Sequence, residues 1–530
     1  MNIRQLANLL GLIALLLGAS MTFSLPWAVP ALGGSEHFET KAFWGLVWSI
    51  VICVAVGVAF RLASGRPDAT RLHRREAMAV VGLSWVLATL LGALPFVLGG
   101  VRRDAETPMT FVDAVFEAQS GFSTTGATVL TELDDPELVP HCILFWRSTT
   151  HFLGGLGIVV LFVAILGQGS AGKQLMRAEV PGPSFESHAA RVQHTAWVLC
   201  VIYIVLNVVL TIVLLLEGLT LFDASCHAFG TMATGGFSTH NASVAWFAQS
   251  GLNGPLIEMT ITVFMVLAGT NFMLLYFVAL RQPGRLLADI EWRAYVGFML
   301  AVTLLVVAFG LYRGDFSPDG QQDRASTEMR DVGAGVRFGL FQVVSIMTTT
   351  GYGTHDFDQW NSFGRGVLFL LMFVGGCAGS TAGGLKVIRH LLLYRILALH
   401  VEQAFRPSVV RPLRLGGNVV PAELRVNIPI YFCAILVLFM ASWMLVVTCE
   451  PDQTWTDHGR PIGDKLIDSA SGVAATLNNI GPGLGTVGAT QNYAPFSAAT
   501  KLLFATLMMI GRLEVFVVLV LFSPSFWRSR

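Results

Sequence analysis

Ser345-Ile346-Met347-Thr348-Thr349-Thr350-Gly351-Tyr352-Gly353-Thr354 follows a short apolar segment, Phe338 to Met347, and is too polar to face lipid. Between hydrophobic spans such a loop is tolerated only where it is buried in protein or lines water. Its glycines free the backbone to take positive φ, so successive carbonyls are able to turn toward one axis. Rings of carbonyls on an axis replace the water around a dehydrated cation. One copy does not close a ring, so the fold depends on whether the chain holds more.

Three further copies exist. Thr124-Thr125-Gly126-Ala127-Thr128 follows Phe111 to Ser123, and Ala233-Thr234-Gly235-Gly236-Phe237 follows Phe222 to Met232. Asn479-Ile480-Gly481-Pro482-Gly483 follows Leu466 to Leu477. Thr110-x-x-Asp113 and Thr220-x-x-Asp223 read as capping boxes with Asp in place of Glu. Asp468 stands as far before Gly481 as Asp113 does before Gly126, whereas the third copy has Phe338 there and no recognisable cap. A single Gly-centred turn would be unremarkable. Four in the same register form an internal repeat.

Over 530 residues the chain is 54% hydrophobic and 13% charged, too apolar for a soluble protein. Its net charge of zero offers no field for nucleic acid. The seven cysteines show neither metal spacing nor a disulfide framework. Spans long enough for the hydrocarbon core fall near 6–27, 42–62, 78–99, 141–167, 195–217, 254–280, 293–312, 364–397, 427–448 and 497–522. The first of these is longer than a signal peptide and is followed at once by another, so it is read as a retained helix.

The expected class is therefore an all-α polytopic membrane protein with ten transmembrane helices and four re-entrant helices in pseudo-fourfold arrangement. Its divisions are an N-terminal helix pair, 1–77, and repeats over 78–194, 195–292, 293–426 and 427–530. Orientation follows from the positive residues. Arg61, Arg66, Arg71, Arg74 and Arg75 follow the second span, Lys173, Arg177 and Arg191 the fourth, and Arg281 and Arg285 the sixth. Lys386, Arg389, Arg395, Arg406, Arg411, Arg414 and Arg425 follow the eighth, and Arg528 and Arg530 close the chain. These loops and both termini are expected in the cytoplasm, with the turns entering from outside. Glu132, Asp134, Asp135, Glu137, Glu450, Asp452 and Asp457 then lie in outer loops, as solvated surface or as a weak attraction for cations.

Three features inside the spans stand apart. The eighth span is interrupted by Gly375-Gly376-Cys377-Ala378-Gly379-Ser380-Thr381-Ala382-Gly383-Gly384-Leu385-Lys386. Each interior Gly costs roughly 1 kcal/mol relative to Ala, so the run is read as an irregular loop bordering an aqueous path. Its likeness to a phosphate-binding loop fails, because Lys does not follow the last Gly and no strand precedes it. Arg512 lies deep in the last span and requires a partner, carbonyls or water. Gly154-Gly155-Leu156-Gly157 and Gly269-Thr270-Asn271 read as sites of close helix packing.

These residues resemble the Trk/Ktr/HKT superfamily of cation-transporting membrane subunits, most nearly its bacterial TrkH branch. The likeness rests on the four turns, on Gly375 to Arg389, on Leu267-Ala268-Gly269-Thr270-Asn271-Phe272, on Gly511 to Glu514, and on Arg177-Ala178-Glu179-Val180-Pro181-Gly182-Pro183. It covers nearly the whole chain. The resemblance implies a pore in the bacterial inner membrane made by one chain, paired in a homodimer and docked on a cytoplasmic nucleotide-binding ring of the TrkA type. It implies potassium as substrate, with no covalently bound cofactor and no enzymatic activity. The family's filter glycine maps onto Gly126, Gly235, Gly351 and Gly481, within filter turns that include Thr124, Thr125, Ala233, Thr234, Thr349, Thr350, Asn479 and Ile480. Relatives favouring sodium carry Ser at the first position; Gly126 implies potassium. The gating loop maps onto Cys377, Ala378, Gly379, Ser380, Thr381, Ala382, Gly383 and Gly384, flanked by Gly376 and Lys386, and the pore-facing arginine onto Arg512. His151-Phe152 departs from the Gln-Trp of many relatives, and the loop 313–336 is long.

A poorly selective or sodium-coupled cation symporter is the alternative within transport, since selectivity depends on carbonyl number and flexibility rather than residue names. A membrane enzyme is disfavoured because no metal cluster, nucleophile–base pair or carboxylate dyad recurs in the spans. A non-conducting sensor would be expected to lose filter glycines.

Overall fold

The computed structural model describes residues 2–33, 35, 37–65, 74–157, 192–316, 332–407, 412–416, 418–513 and 515–528. Residues 158–167 of the fourth span, the run Arg177 to Pro183, Lys173, Arg191, Arg66, Arg71, Arg411, Arg530, Glu514 and most of the loop 313–336 lie outside the described residues.

The chain is mostly helical. Among the described residues, six segments are long and apolar enough to cross a membrane: Ile3–Ala28, Thr40–Ser64, Arg75–Leu98, Ala196–Leu216, Ile290–Arg313 and Ala422–Cys449. The first two form the N-terminal pair and meet through glycines. A Cβ on Gly11 would lie 2.7 Å from the Gly57 carbonyl oxygen, so the two backbones touch where side chains are missing.

Two expected spans are broken. The eighth divides into Ser362–Leu371 and Val387–Phe405 around the glycine-rich loop, as its composition requires. The sixth divides into Gly254–Ala268 and Phe272–Ala279, which meet at 105°. Gly269-Thr270-Asn271 is therefore a helix break as well as a site of close packing, where a Cβ on Gly269 would lie 2.4 Å from Tyr295 Oη. Asn271 starts the second half as its N-cap, its Oδ1 accepting the Met273 N–H at 2.9 Å.

Four short helices, Phe111–Phe122, Leu221–Ala233, Val332–Met347 and Lys465–Leu477, precede the four turns. At Thr110 the side chain accepts the Asp113 N–H while Asp113 accepts the Thr110 N–H, closing the expected capping box. Thr220 accepts from Asp223 N–H at 3.0 Å. Asp468 departs from that role: its Oδ2 accepts from Thr486 N–H, Thr486 Oγ1 and Trp455 Nε1, so it clamps the segment after the fourth turn.

Both ends of the chain meet the first turn of the helix Arg74–Gly92. Asn2 N–H donates to Glu76 at 2.7 Å and Arg75 donates to the Arg528 carbonyl at 2.7 Å. Asp134 accepts from Asn241 N–H and Glu39 accepts from His141 N–H, tying other loops to one another.

Candidate ion-conduction site

The four turns share one backbone design. Thr124, Thr234, Thr349 and Asn479 have φ of 52°, 55°, 59° and 56°, a left-handed conformation uncommon for side chains and most costly for β-branched Thr. Matching hydrogen bonds hold it in every copy: Thr124, Thr234, Thr349 and Asn479 donate to Gly121, Thr231, Ile346 and Thr476. The next residues, Thr125, Gly235, Thr350 and Ile480, donate to Ser120, Gly230, Ser345 and Ala475. Two residues beyond each left-handed position stands a glycine of positive φ: Gly126 at 80°, Gly236 at 74°, Gly351 at 80° and Gly481 at 94°.

That register corrects the second turn. Gly236, not Gly235, corresponds to Gly126, Gly351 and Gly481; Gly235 corresponds to Thr125, Thr350 and Ile480, and Ala233 to Ser123. A Gly-Gly pair is ambiguous in sequence, and the left-handed conformation at Thr234 fixes the register.

The turns close on one another. A Cβ on Gly126 would lie 2.1 Å from the Gly235 carbonyl oxygen, one on Gly236 2.0 Å from Thr350 O, one on Gly351 1.9 Å from Ile480 O, and one on Gly481 2.6 Å from Thr125 O. Each glycine thus lies against the carbonyl before the glycine of the following repeat, and the fourth returns to the first. The contact leaves no room for a side chain in any of the four positions.

Side chains brace this ring. Tyr352 Oη is 3.3 Å from the carbonyls of His227 and Phe237, tying the third turn to the second. Asn479 Nδ2 donates to Thr125 Oγ1 at 3.0 Å, tying the fourth to the first. Tyr493 donates to Gly481 O at 2.8 Å. Glu117 and Arg147 form a buried 2.6 Å ion pair; Glu117 also accepts from Val129 N–H and Arg147 donates to Ser238 O, so one pair fixes the segments after two turns. Lys501 and Asp113, also buried, pair at 2.6 Å between the last span and the first short helix. Sequence separation hid both pairs: Asp113 shows in sequence only as part of its capping box, and Glu117, Arg147 and Lys501 stand in no motif.

In the segment after the third turn, burial pushes the Asp358 carboxyl up to about 6, and Asp356 adds to the rise, while the Gly485 N–H, Arg365 and Arg460 oppose it. Gly485 N–H donates to both Asp358 oxygens, at 3.0 and 2.9 Å, joining the third and fourth repeats.

The broken eighth span lies against the bases of the turns. Gly383 N–H donates to Thr349 Oγ1 at 2.7 Å, and Thr381 Oγ1 donates to Met232 O at 2.9 Å. A Cβ on Gly383 would be 2.8 Å from Asn479 Cβ. The two helix breaks satisfy each other: Cys377 and Thr381 N–H donate to Gly269 and Ala268 carbonyls, and Phe272 N–H donates to Gly379 O. These are the backbone groups each break would otherwise leave bare. Ala378 and Ile388, at the two ends of the loop, both donate to Glu291 Oε1, at 2.8 and 3.1 Å. Ser380 donates to Cys377 O, and Lys386 Nζ donates to Ala382 O, so the loop also closes on itself.

Arg512 reaches this loop. Its Nη1 donates to Thr381 O at 2.6 Å and its Nη2 to Gly154 O at 2.7 Å, bridging the third repeat to the first. The guanidinium meets carbonyls, one of the partners an arginine at that depth requires. Glu291 was missed in sequence because it stands outside the glycine-rich run; the Asn of Gly-Thr-Asn was the available signal for the second break.

A mostly helical chain with several membrane-length apolar spans, whose four glycine turns close on one another, has the architecture of a multi-pass membrane transport protein. The family description "TrkH: Cation transport protein" matches residues 46–529, and the chain belongs to that family. It is 34% identical to the Trk system potassium uptake protein TrkH of Salmonella typhimurium, over the full length of both chains. It is 30% identical to the Trk system potassium uptake protein TrkG of Escherichia coli, covering 100% of this chain and 99% of that one. The crystal structure of the potassium transporter TrkH from Vibrio parahaemolyticus is similar at a TM-score of 0.79 and 31% identity, covering 99% of this chain and 100% of that one.

Proposed function

We propose that the chain takes up potassium through a channel-like pore whose selectivity filter is the ring of Gly126, Gly236, Gly351 and Gly481 with the carbonyls beside them. The observation that carries this reading is the cyclic contact of the four glycines with Gly235, Thr350, Ile480 and Thr125 oxygens. Carbonyls of this kind replace an ion's hydration shell. The relatives named as potassium uptake proteins favour potassium as the ion.

The short helices act as pore helices, each directing the negative end of its dipole toward the ring, which favours a cation there. With ten spans and four re-entrant helices, the chain divides into the N-terminal pair and four repeats given above. The gate is the loop Gly376 to Gly384 with Lys386 and Arg512: the loop lies against the filter turns, and a fixed guanidinium charge on the path repels cations. Both termini face the cytoplasm of a bacterial inner membrane, where a TrkA-type nucleotide-binding ring docks on a homodimer.

Growth of a potassium-uptake-deficient bacterium at limiting potassium tests the reading, with and without the nucleotide-binding partner. Rescue that requires the partner is expected. Failure to rescue by well-expressed protein with its partner overturns it.

A further inference from the structure

The second turn of the ring lacks a side chain that the other three have. Thr125, Thr350 and Ile480 occupy the position before the filter glycine, and in the second repeat Gly235 stands there. The vacant volume is filled from another element. A Cβ on Gly235 would lie 2.6 Å from His151 Cδ2 and Cγ, so the imidazole packs directly on the Gly235 backbone. His151 belongs to the helix His141–Leu156 of the first repeat and is fully buried.

Its two nitrogens are both engaged. Nε2 accepts the Phe237 N–H at 3.1 Å, which leaves Nδ1 to carry the proton it donates to Gly121 O at 2.8 Å. The ring therefore sits as the neutral Nδ1–H tautomer and bridges the last turn of the first short helix to the segment leaving the second filter turn. Phe237 stacks on it with ring centroids 4.0 Å apart, and the Arg147 guanidinium lies 3.4 Å from the Phe237 centroid.

We propose that His151 is a positioning residue of the filter: it takes the place of the missing side chain at Gly235 and holds the second turn in register with the first. This rests on the filter reading above. His151 touches no ion; it acts through the Gly235 and Phe237 backbone. Gly235 and His151 form one unit, so a side chain at 235 is admitted only when the imidazole is removed.

Sodium competition against radioactive rubidium uptake, at matched surface expression, tests the proposal. His151→Gln preserves an acceptor for Phe237 and a donor for Gly121, and discrimination should stay within about twofold of wild type. His151→Phe keeps a ring but makes neither bond, and discrimination should fall about fivefold or more, the order of losing one buried hydrogen bond. Gly235→Ser should lower it on the wild-type background and restore much of it when combined with His151→Ala. Wild-type discrimination in His151→Phe, or equal effects of Gly235→Ser on both backgrounds, overturns the proposal; the second comparison stands even if His151→Phe does not fold. Gly351→Ser, which His151 does not touch, separates the two claims. If Gly351→Ser alters sodium competition while the His151 variants do not, only the positioning role fails; if Gly351→Ser changes nothing, the filter reading itself fails.

Discussion

The Gly383 N–H donates to the Thr349 hydroxyl at 2.7 Å, joining the glycine-rich loop to the left-handed residue at the base of the third turn. Loop and ring are thus in direct contact, and a displaced loop loses a bond to a residue that shapes the ring. With Thr381 O held by Arg512, the loop has one anchor on the turn and another on the last span.

Removing the second anchor should free the loop. Arg512→Ala, and separately deletion of residues between Ala378 and Ala382, should each raise partner-independent rubidium flux in liposomes. The double variant should show less than the sum, because groups in contact couple. Wild-type basal flux in both well-folded variants would place the gate elsewhere.

Glu291 accepts the amides at both ends of the loop. Glu291→Gln retains an acceptor and should leave basal flux near wild type. Glu291→Ala leaves two buried N–H groups bare, at about 1–3 kcal/mol each, and should raise basal flux. Equal flux from the two variants argues that the carboxylate does not hold the loop.

The buried Glu117–Arg147 pair fixes the segments beyond the first two turns. Glu117→Ala strands a buried guanidinium, a loss of about 3–5 kcal/mol. Thermal unfolding in detergent should show a large drop for the single variant and a smaller one for Glu117→Met combined with Arg147→Met. A single variant as stable as wild type contradicts the pairing.

Asp358 has its pKa raised to about 6 in the folded chain, so the fold binds its proton more tightly than the unfolded chain does. Stability from this group is therefore present in acid and lost as pH rises through the window from the ordinary carboxylate range to about 6. Acidification from about pH 7.5 to pH 5 should raise the melting temperature of wild type relative to Asp358→Asn. Parallel pH dependence in the two proteins would exclude Asp358 as the titrating group.

Local signals carried much of this architecture. Thr110 and Thr220 announced their helices, and the glycines of the eighth span announced its break, because capping and helix propensity act over a few residues. The ring depends on backbone conformation as well as residue type. Thr234-Gly235-Gly236 admits two registers, and only the positive φ at Thr234 and Gly236 selects one. Gly269-Thr270-Asn271 reads in sequence as close packing, which it is, but its break is hidden because the carbonyls of Gly269 and Ala268 find their donors more than a hundred positions away, at Cys377 and Thr381. Glu117–Arg147 and Lys501–Asp113 are likewise contacts of the folded chain, with no periodicity to betray them.

The most direct test of the fourfold filter is sodium competition against rubidium uptake in liposomes holding Gly236→Ser or Gly351→Ser protein. A Cβ at either position meets a carbonyl oxygen, at 2.0 Å from Thr350 O or 1.9 Å from Ile480 O. Both variants should lose discrimination against sodium to a similar degree, since the positions are equivalent around one axis. Unchanged discrimination in both would contradict the account, and a loss confined to Gly351→Ser would remove Gly236 from the ring.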